Sequence, residues 1–181
     1  MSLRVFVAMP FGSKPDSTGT PIDFDRIYDE LIRPALEDAG LEVLRADEEQ
    51  DAGDIRVDLF QELLMADLVA DLTLDNPNVW YELGVRHALR ARGVILVQGP
   101  RASQPFDIYT DRKLCYSLVD GAPDPATLLL YRKALGDMAL STLTAWHGSK
   151  TSPAYTLLPY LQEPDWRNLR VGNAREYWEN Y

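Results

Sequence analysis

Residues 67–84, DLVADLTLDNPNVWYELG, restrict the fold more than any other part of the chain. An apolar strand ends at Asp71, the Asn76-Pro77 pair makes a turn and a helix start, and a helix with Glu82 follows. A strand that leads into a helix is the unit of an open α/β sheet, whose ligands bind in the crevice outside the carboxyl ends of the strands. The segment therefore predicts an α/β fold with two carboxylates near that crevice.

The same alternation of strands and helices extends over the first hundred residues, at a spacing typical of a parallel sheet with right-handed crossovers. The predicted strands cover 3–9, 41–44, 68–72, 94–97 and 114–118, and the predicted helices cover 23–39, 55–65, 77–89 and 125–143. Residues 12–22 predict a loop, and Pro34 predicts a kink in the first helix. The pattern favours a flavodoxin-like, doubly wound and mostly parallel sheet of about five strands, with helices on both faces.

We predict two parts in the chain: an α/β domain over 1–120, and a helical and irregular C-terminal extension over 121–181 that packs on it. The extension is rich in aromatic residues, namely Tyr155, Tyr160, Trp166, Tyr177, Trp178 and Tyr181. Such a tail either covers the sheet or supplies anchors for a partner, because Tyr and Trp are favoured at interfaces. Both alternatives stay open at this point.

The net charge of −10 argues against a nucleic-acid or anionic-membrane partner, since both require a basic surface. Cys115 is the only cysteine, so no intrachain disulfide can form and no multi-cysteine zinc site is available. We expect no metal and no cofactor. The absence of a long apolar stretch and the single cysteine favour a cytoplasmic protein.

Glu82 is the most unusual residue of the predicted helix, because apolar side chains occupy most of the circumference around it. A carboxylate in that setting is paired, neutral, or facing a cavity that uses it. Arg86 at i+4 is one candidate partner. Without a partner, burial predicts a raised Glu82 pKa. Asp71 has a comparable alternative, in which its carboxylate orders the turn that follows by accepting backbone N–H groups.

The first strand ends in a loop that could contact a ligand from the neighbouring strand end. Its candidate binding residues are Met9, Pro10, Phe11, Gly12, Ser13 and Lys14. Phe11 could stack on a base or fill the core, and Ser13 and Lys14 would suit a phosphate or simply be solvated. Asn78, one helical turn before Glu82, could hold a ribose hydroxyl or satisfy the helix start.

The motifs VFVAMPFG, ADLVADLT and NPNVWYELG resemble the nucleoside 2-deoxyribosyltransferase-like superfamily, whose relatives include nucleotide N-glycosidases and, more distantly, NAD-cleaving TIR domains. This resemblance implies cleavage or transfer of an N-glycosidic bond in a nucleotide, nucleoside or NAD-type substrate. It further implies that Glu82 is the nucleophile, that Asp71 positions the substrate or the leaving base, and that the loop over 9–14 contacts the sugar or phosphate.

A second resemblance extends along more of the chain. The segments YELGVRHALRARGVILV, QPFDI, LCYSL and SPAYTLLPYLQEPDWRNLRVGNAREYWENY are similar to a domain near the start of apoptosis signal-regulating kinases and of bacterial proteins with tetratricopeptide repeats. That resemblance implies a non-catalytic regulatory domain with a protein partner or self-association. The kinase members lack the residue that matches Glu82, so a catalytic and a regulatory function are both open.

Overall fold

A computed structural model describes residues 3–45, 55–103, 112–144 and 152–165, with the backbone alone for 55–58. The QPFDI motif and the aromatic residues from Trp166 onward lie outside the described residues. The strands are β1 (Arg4–Ala8), β2 (Ser13–Pro15), β3 (Pro21–Asp23), β4 (Glu42–Arg45), β5 (Asp67–Asp71), β6 (Val94–Gln98), β7 (Lys113–Cys115), β8 (Leu118–Val119) and β9 (Ala122–Pro123). The helices are α1 (Phe24–Ile27), α2 (Arg33–Asp38), α3 (Ile55–Met65), α4 (Pro77–Leu89), α5 (Leu128–Thr144) and α6 (Pro153–Leu157), with a π-helical turn over Tyr28–Ile32.

The central sheet has five parallel strands in the order β4-β1-β5-β6-β7. If these five strands are numbered 1 to 5 in the order in which they occur along the chain, their order across the sheet is 2-1-3-4-5, which is the flavodoxin-like order. The predicted fold class is therefore confirmed. The order reverses between β1 and β5, and this reversal defines the switch point at which such sheets bind ligands.

The residues of β1 and β6 are all buried, because helices cover both faces of the sheet. Alternate residues of each strand point to opposite faces. Val5 and Val7 of β1 pack in a core with α1, α2 and α5, on what we term the α2/α5 face. Phe6 and Ala8 pack with α3 and α4 on the opposite face, which we term the α3/α4 face.

The first helical region runs from Phe24 to Asp38 with a π-helical turn before Pro34. Pro34 has no N–H to donate to the carbonyl of Glu30, so that oxygen is left without its usual helical partner. Arg132 of α5 supplies a donor instead, with Nε at 2.6 Å from the Glu30 carbonyl oxygen. The predicted irregularity at Pro34 thus fixes a contact between two helices of the α2/α5 face.

Two predicted segments differ from the structure. Residues 12–22 are not a simple loop, because β2 and β3 pair there as an antiparallel ribbon. The predicted strand over 114–118 is divided, since Lys113–Cys115 joins the central sheet while Leu118–Val119 pairs with Ala122–Pro123 in a separate ribbon. The left-handed backbone at Asp120 and Gly121 forms the tight turn of that second ribbon, which the alternating sequence pattern did not predict.

Within the C-terminal extension, α5 packs on the α2/α5 face, whereas residues 152–165 are attached to the end of α4. Ser152 Oγ donates to the carbonyl of His87 at 2.6 Å, and Tyr155 is 2% exposed, with its hydroxyl 3.1 Å from the carbonyl oxygen of Leu89. Glu163 accepts a hydrogen bond from the backbone N–H of Ala91 at 2.7 Å. The segment therefore closes the carboxyl end of α4, far from the end where that helix begins.

Candidate functional site

The start of α4 is fixed by its cap. The Asn76 side chain accepts hydrogen bonds from the backbone N–H groups of Asn78 at 2.9 Å and Val79 at 3.4 Å, and Pro77 occupies the first helical position. This cap satisfies two of the N–H groups that a helix start leaves without partners. Asn78 is exposed in the first turn. The cap sets the rotational phase of the helix and so decides which side chains face the sheet.

Glu82 faces inward. The buried stripe of α4 consists of Val79, Glu82, Leu83 and Arg86, and Glu82 is 8% exposed. Burial alone raises the pKa of its carboxyl from the ordinary value of 4.5 to about 7. Within the described ranges, no side chain or backbone N–H forms a hydrogen bond or ion pair with this carboxyl. The direction of this pKa shift agrees with the one expected from the sequence.

Arg86 is not the partner of Glu82, although it lies one turn away. Its guanidinium extends toward the opposite end of α4 and forms an ion pair with Asp67 at 3.0 Å. It also donates to the backbone carbonyls of Leu63, Ala66, Arg92 and Gly93. The Glu82–Arg86 pair considered from the sequence is therefore wrong. Arg86 instead joins the end of α3 to the turn before β6.

Asp71 has the opposite environment to Glu82. It is fully buried, with one carboxylate oxygen accepting from the Thr73 N–H at 2.8 Å and the other from the Tyr116 hydroxyl at 2.6 Å. Thr73 Oγ1 lies 2.9 Å from the Tyr116 hydroxyl and accepts from the Gly99 N–H at 2.7 Å. Burial raises the pKa of Asp71, while its hydrogen bonds with Thr73 and Tyr116 lower it. The hydrogen bonds among Asp71, Thr73, Tyr116 and Gly99 connect the ends of β5, β6 and β7.

The structure does not bring Asp71 and Glu82 together. Asp71 follows Val69 in the alternation of β5, and both Val69 and its hydrogen-bond partner Tyr116 belong to the core of the α2/α5 face. Glu82 lies between Val79 and Leu83, which belong to the core of the α3/α4 face. The sheet itself separates the two carboxyl groups. Both lie toward its carboxyl edge, but they point to different sides of it.

The loop after β1 turns toward the α2/α5 face. Met9 is 3% exposed in that core, and Pro10 is buried. Phe11 is 39% exposed, with the Arg45 guanidinium 5.3 Å from its ring centre. Gly12, with a left-handed φ of 64°, donates its N–H to Asp25 at 3.2 Å. These contacts anchor the loop to α1 and β4.

Ser13 and Lys14 lie in the exposed antiparallel ribbon, opposite Asp23 and Ile22. In a phosphate-binding loop, several backbone N–H groups point at the same phosphate. In an antiparallel ribbon, successive N–H groups alternate between pointing to the partner strand and pointing away from it, so Ser13 and Lys14 do not form such a loop. The structure thus places the six candidate residues of the first loop on the other side of the sheet from Glu82, or in a solvated ribbon.

Gln98 was missed by the sequence analysis. It ends the apolar strand VILVQ, is 4% exposed, and its side-chain oxygen Oε1 is buried without a hydrogen-bond donor among the described residues. Alternation from Val94 and Leu96, which pack with α3 and α4, places Gln98 on the α3/α4 face. A polar residue at the carboxyl end of an otherwise apolar strand was the available signal.

Arg101 was also missed, and it closes the same edge. Its guanidinium donates to the carbonyl oxygen of Leu72 at 2.6 Å and to Asp75 at 2.8 Å. These bonds fix the segment between β5 and α4. Among residues 3–45, 55–103, 112–144 and 152–165, no cluster of His, Cys, Asp and Glu could hold a metal ion. None of the helices in those ranges combines the length and the apolar character needed to cross a bilayer.

Comparisons with known proteins give little beyond the fold. No protein-family model matches the chain, and no curated protein matches it. A solved structure of a diflavin flavoprotein A3 from Nostoc sp. matches with a TM-score of 0.47 and 14% sequence identity, over 81% of this chain and 98% of that one.

The predicted cleavage or transfer of an N-glycosidic bond is wrong. The prediction required two carboxylates in one crevice, whereas Asp71 is enclosed by Thr73 and Tyr116 on the far side of the sheet from Glu82. The description of the chain as a TIR-like hydrolase or glycosidase is corrected with it.

Proposed function

We propose that the protein is a non-catalytic binding domain for a nucleoside or nucleotide, which it recognises through Glu82 at the carboxyl edge of the α3/α4 face. One observation supports this function above all others: the Glu82 carboxyl is buried and has no partner among the described residues. An ionised carboxyl group that is mostly buried and has no hydrogen bond within the protein costs stability, and a group of this kind is a candidate for use by a ligand or a reaction.

The position of Glu82 agrees with this role. It lies five residues after Pro77, or about 7.5 Å along the axis from the start of α4 at a rise of 1.5 Å per residue. Side chains on a helix incline toward its N-terminus, so Glu82 is directed toward the end at which α4 follows β5. That end borders the switch point between β1 and β5, where doubly wound folds bind nucleotides.

The chemistry of the carboxyl limits the ligand. A carboxylate accepts two hydrogen bonds side by side, which suits the two neighbouring hydroxyl groups of a ribose. A phosphate would be repelled by the same charge, so a nucleotide is expected to direct its sugar to Glu82 and its phosphate toward solvent. The ligand is therefore defined by its sugar, and the phosphate is optional.

Binding is tested by calorimetric titration with adenosine, AMP and cytidine, and with 2′,3′-dideoxyadenosine as the analogue that lacks both hydroxyl groups. Wild-type protein should bind at least one of the first three, and Glu82→Gln should weaken that binding about tenfold or more because a carboxylate acceptor is lost. Glu37→Gln, at an exposed surface pair of α2, is the matched control and should bind as the wild type does. Absence of binding by every compound, or equal binding by Glu82→Gln, would contradict the proposal.

The relations to the domain of apoptosis signal-regulating kinases and to the deoxyribosyltransferase-like superfamily remain proposals that rest on the sequence motifs. The cytoplasmic location remains a proposal that rests on the single cysteine and the absence of a long apolar stretch.

Self-association is a second candidate function. It is favoured by Leu157, Leu158, Tyr160 and Leu161, which are 79%, 57%, 95% and 41% exposed. No charged residue lies between Thr156 and Gln162, so two copies of this acidic chain would repel each other least at this segment.

Sedimentation velocity at several concentrations tests self-association. The wild type should form dimers, and the double variant Leu157→Ser with Tyr160→Ser should stay monomeric because it removes the two most exposed of these side chains. A wild type that is monomeric at every concentration would contradict this second function and leave the ligand proposal unaffected.

A further inference from the structure

Gln98, at the end of β6, is a second buried polar residue whose side-chain acceptor has no donor among the described residues. Its side chain is 4% exposed, and Oε1 is a buried acceptor without a donor in the described part of the chain. A buried amide oxygen without a donor costs free energy, and such groups are rare in folded proteins. A leucine at this position would continue the apolar pattern of VILV without that cost. The amide therefore requires an explanation that packing does not give.

Glu82 and Gln98 share a face and an edge of the sheet. Glu82 is on α4, which follows β5, and Gln98 ends β6, the hydrogen-bonded neighbour of β5 at a strand spacing of about 4.8 Å. Val79 and Leu83 of α4 pack in the same core as Leu96, two residues before Gln98. Both unpartnered acceptors therefore lie toward the carboxyl edge on the same side of the sheet.

We propose that Gln98 is a specificity-determining residue that accepts a hydrogen bond from an exocyclic amino group of the base, while Glu82 holds the sugar. This inference rests on the proposed function, because it assigns a second contact of the same ligand. With the amide oriented as in the structure, Oε1 toward the ligand, a carbonyl oxygen at that place on the base would face the Gln98 oxygen without a proton between them, and Gln98 would have to turn its amide to donate from Nε2. The site should therefore distinguish bases that carry an amino group from bases that carry a carbonyl group at the equivalent position.

Two pairs of nucleosides differ in this feature with little change in shape: adenosine and inosine, and cytidine and uridine. Wild-type protein should bind the amino member of at least one pair about tenfold more tightly than the carbonyl member, as measured by calorimetry. Gln98→Leu should reduce that ratio to about one and still bind the carbonyl member. The control variant Gln162→Leu, at an exposed glutamine, should keep the wild-type ratio.

A thermal melt without ligand provides the second measurement. Gln98→Leu should melt at the wild-type temperature or above it, because the substitution removes an acceptor that has no donor. A clear loss of stability would mean that Gln98 has a structural partner, and the inference would be overturned. Equal binding of both members of each pair by the wild type, or preference for the carbonyl member, would overturn it as well while leaving nucleoside binding intact. Failure to bind any nucleoside would instead remove the proposed function and this inference together.

Discussion

Asp71 and Glu82 are both buried carboxyl groups toward the carboxyl edge of one sheet, yet their surroundings differ completely. Asp71 has a donor for each oxygen, from Thr73 and Tyr116, and lies on the α2/α5 face. Glu82 has no donor among the described residues and lies in the buried stripe of α4 on the α3/α4 face. Burial of a carboxyl group is therefore not enough to mark a binding site. The supply of partners distinguishes a structural carboxyl from one that is available to a ligand.

The largest expected effect comes from removing the structural carboxyl. Asp71→Ala leaves the Thr73 N–H and the Tyr116 hydroxyl buried without an acceptor, and should cost about 4 kcal/mol of the free energy of unfolding. Urea denaturation measures this loss. Glu82→Ala is the matched variant and should cost much less, since no donor loses its acceptor. Equal losses in the two variants would remove the distinction between the carboxyl groups.

Arg86→Lys tests whether Glu82 depends on the cation one turn away. Lysine cannot reproduce the fork of bonds to Asp67 and the carbonyls of Leu63 and Gly93, so the variant should lose about 3 kcal/mol of stability. Nucleoside binding by the folded variant should stay at the wild-type level. A loss of binding with the fold intact would show that Arg86 influences Glu82 after all.

Tyr116→Phe removes one donor from Asp71 and keeps the ring. Asp71 Oδ2, which accepts from the Tyr116 hydroxyl in the wild type, is then fully buried without a donor. We expect the free energy of unfolding to fall by about 2 kcal/mol. The loss should be smaller in the Asp71→Leu background, where only the hydroxyl of Thr73 loses its partner. Additive losses in this double-mutant cycle would contradict the network.

Glu82→Gln should have the smallest effect and the opposite sign. The pKa of Glu82 is about 7 in the folded protein and 4.5 ordinarily, so the ionised carboxyl lowers the free energy of unfolding. This loss of stability begins as the pH rises above 4.5 and is complete above about 7. Glutamine removes this penalty. The variant should equal the wild type near pH 4 and exceed it by about 1 to 2 kcal/mol at pH 8. Lower stability of the variant at pH 8 would identify a hidden partner of the carboxyl.

Most of the fold could be predicted from the sequence because periodicity and caps act locally. The Asn76-Pro77 start and the bounds of α3 and α4 follow from short-range rules that the structure obeys. The ribbon over 13–23 could not be predicted from the pattern, since Pro15 and the polar residues around it are typical of a loop. Its pairing depends on the attachment of Gly12 and Asp23 to neighbouring segments.

The candidate site was predicted less well because side-chain partners depend on distant parts of the chain. The sequence identified Glu82 as unusual but offered Arg86 as its partner, and only the packing of α4 against the end of α3 shows where that guanidinium goes. The prediction for Asp71 did not include the orientation of β5, which directs this side chain to Tyr116, 45 residues later. Gln98 gave only a weak signal, a polar residue that ends an apolar strand.

The titration of Glu82 is the most direct test of the account. Carbon-13 NMR of the glutamate carboxyl groups, with the Glu82 signal assigned by its absence in Glu82→Gln, gives the pKa of this group in the free protein. We expect a midpoint of about 7, because a buried carboxyl without a partner resists ionisation. A midpoint at or below the ordinary 4.5 would show that Glu82 is solvated or paired, and would contradict the assignment of this carboxyl as a ligand-binding group.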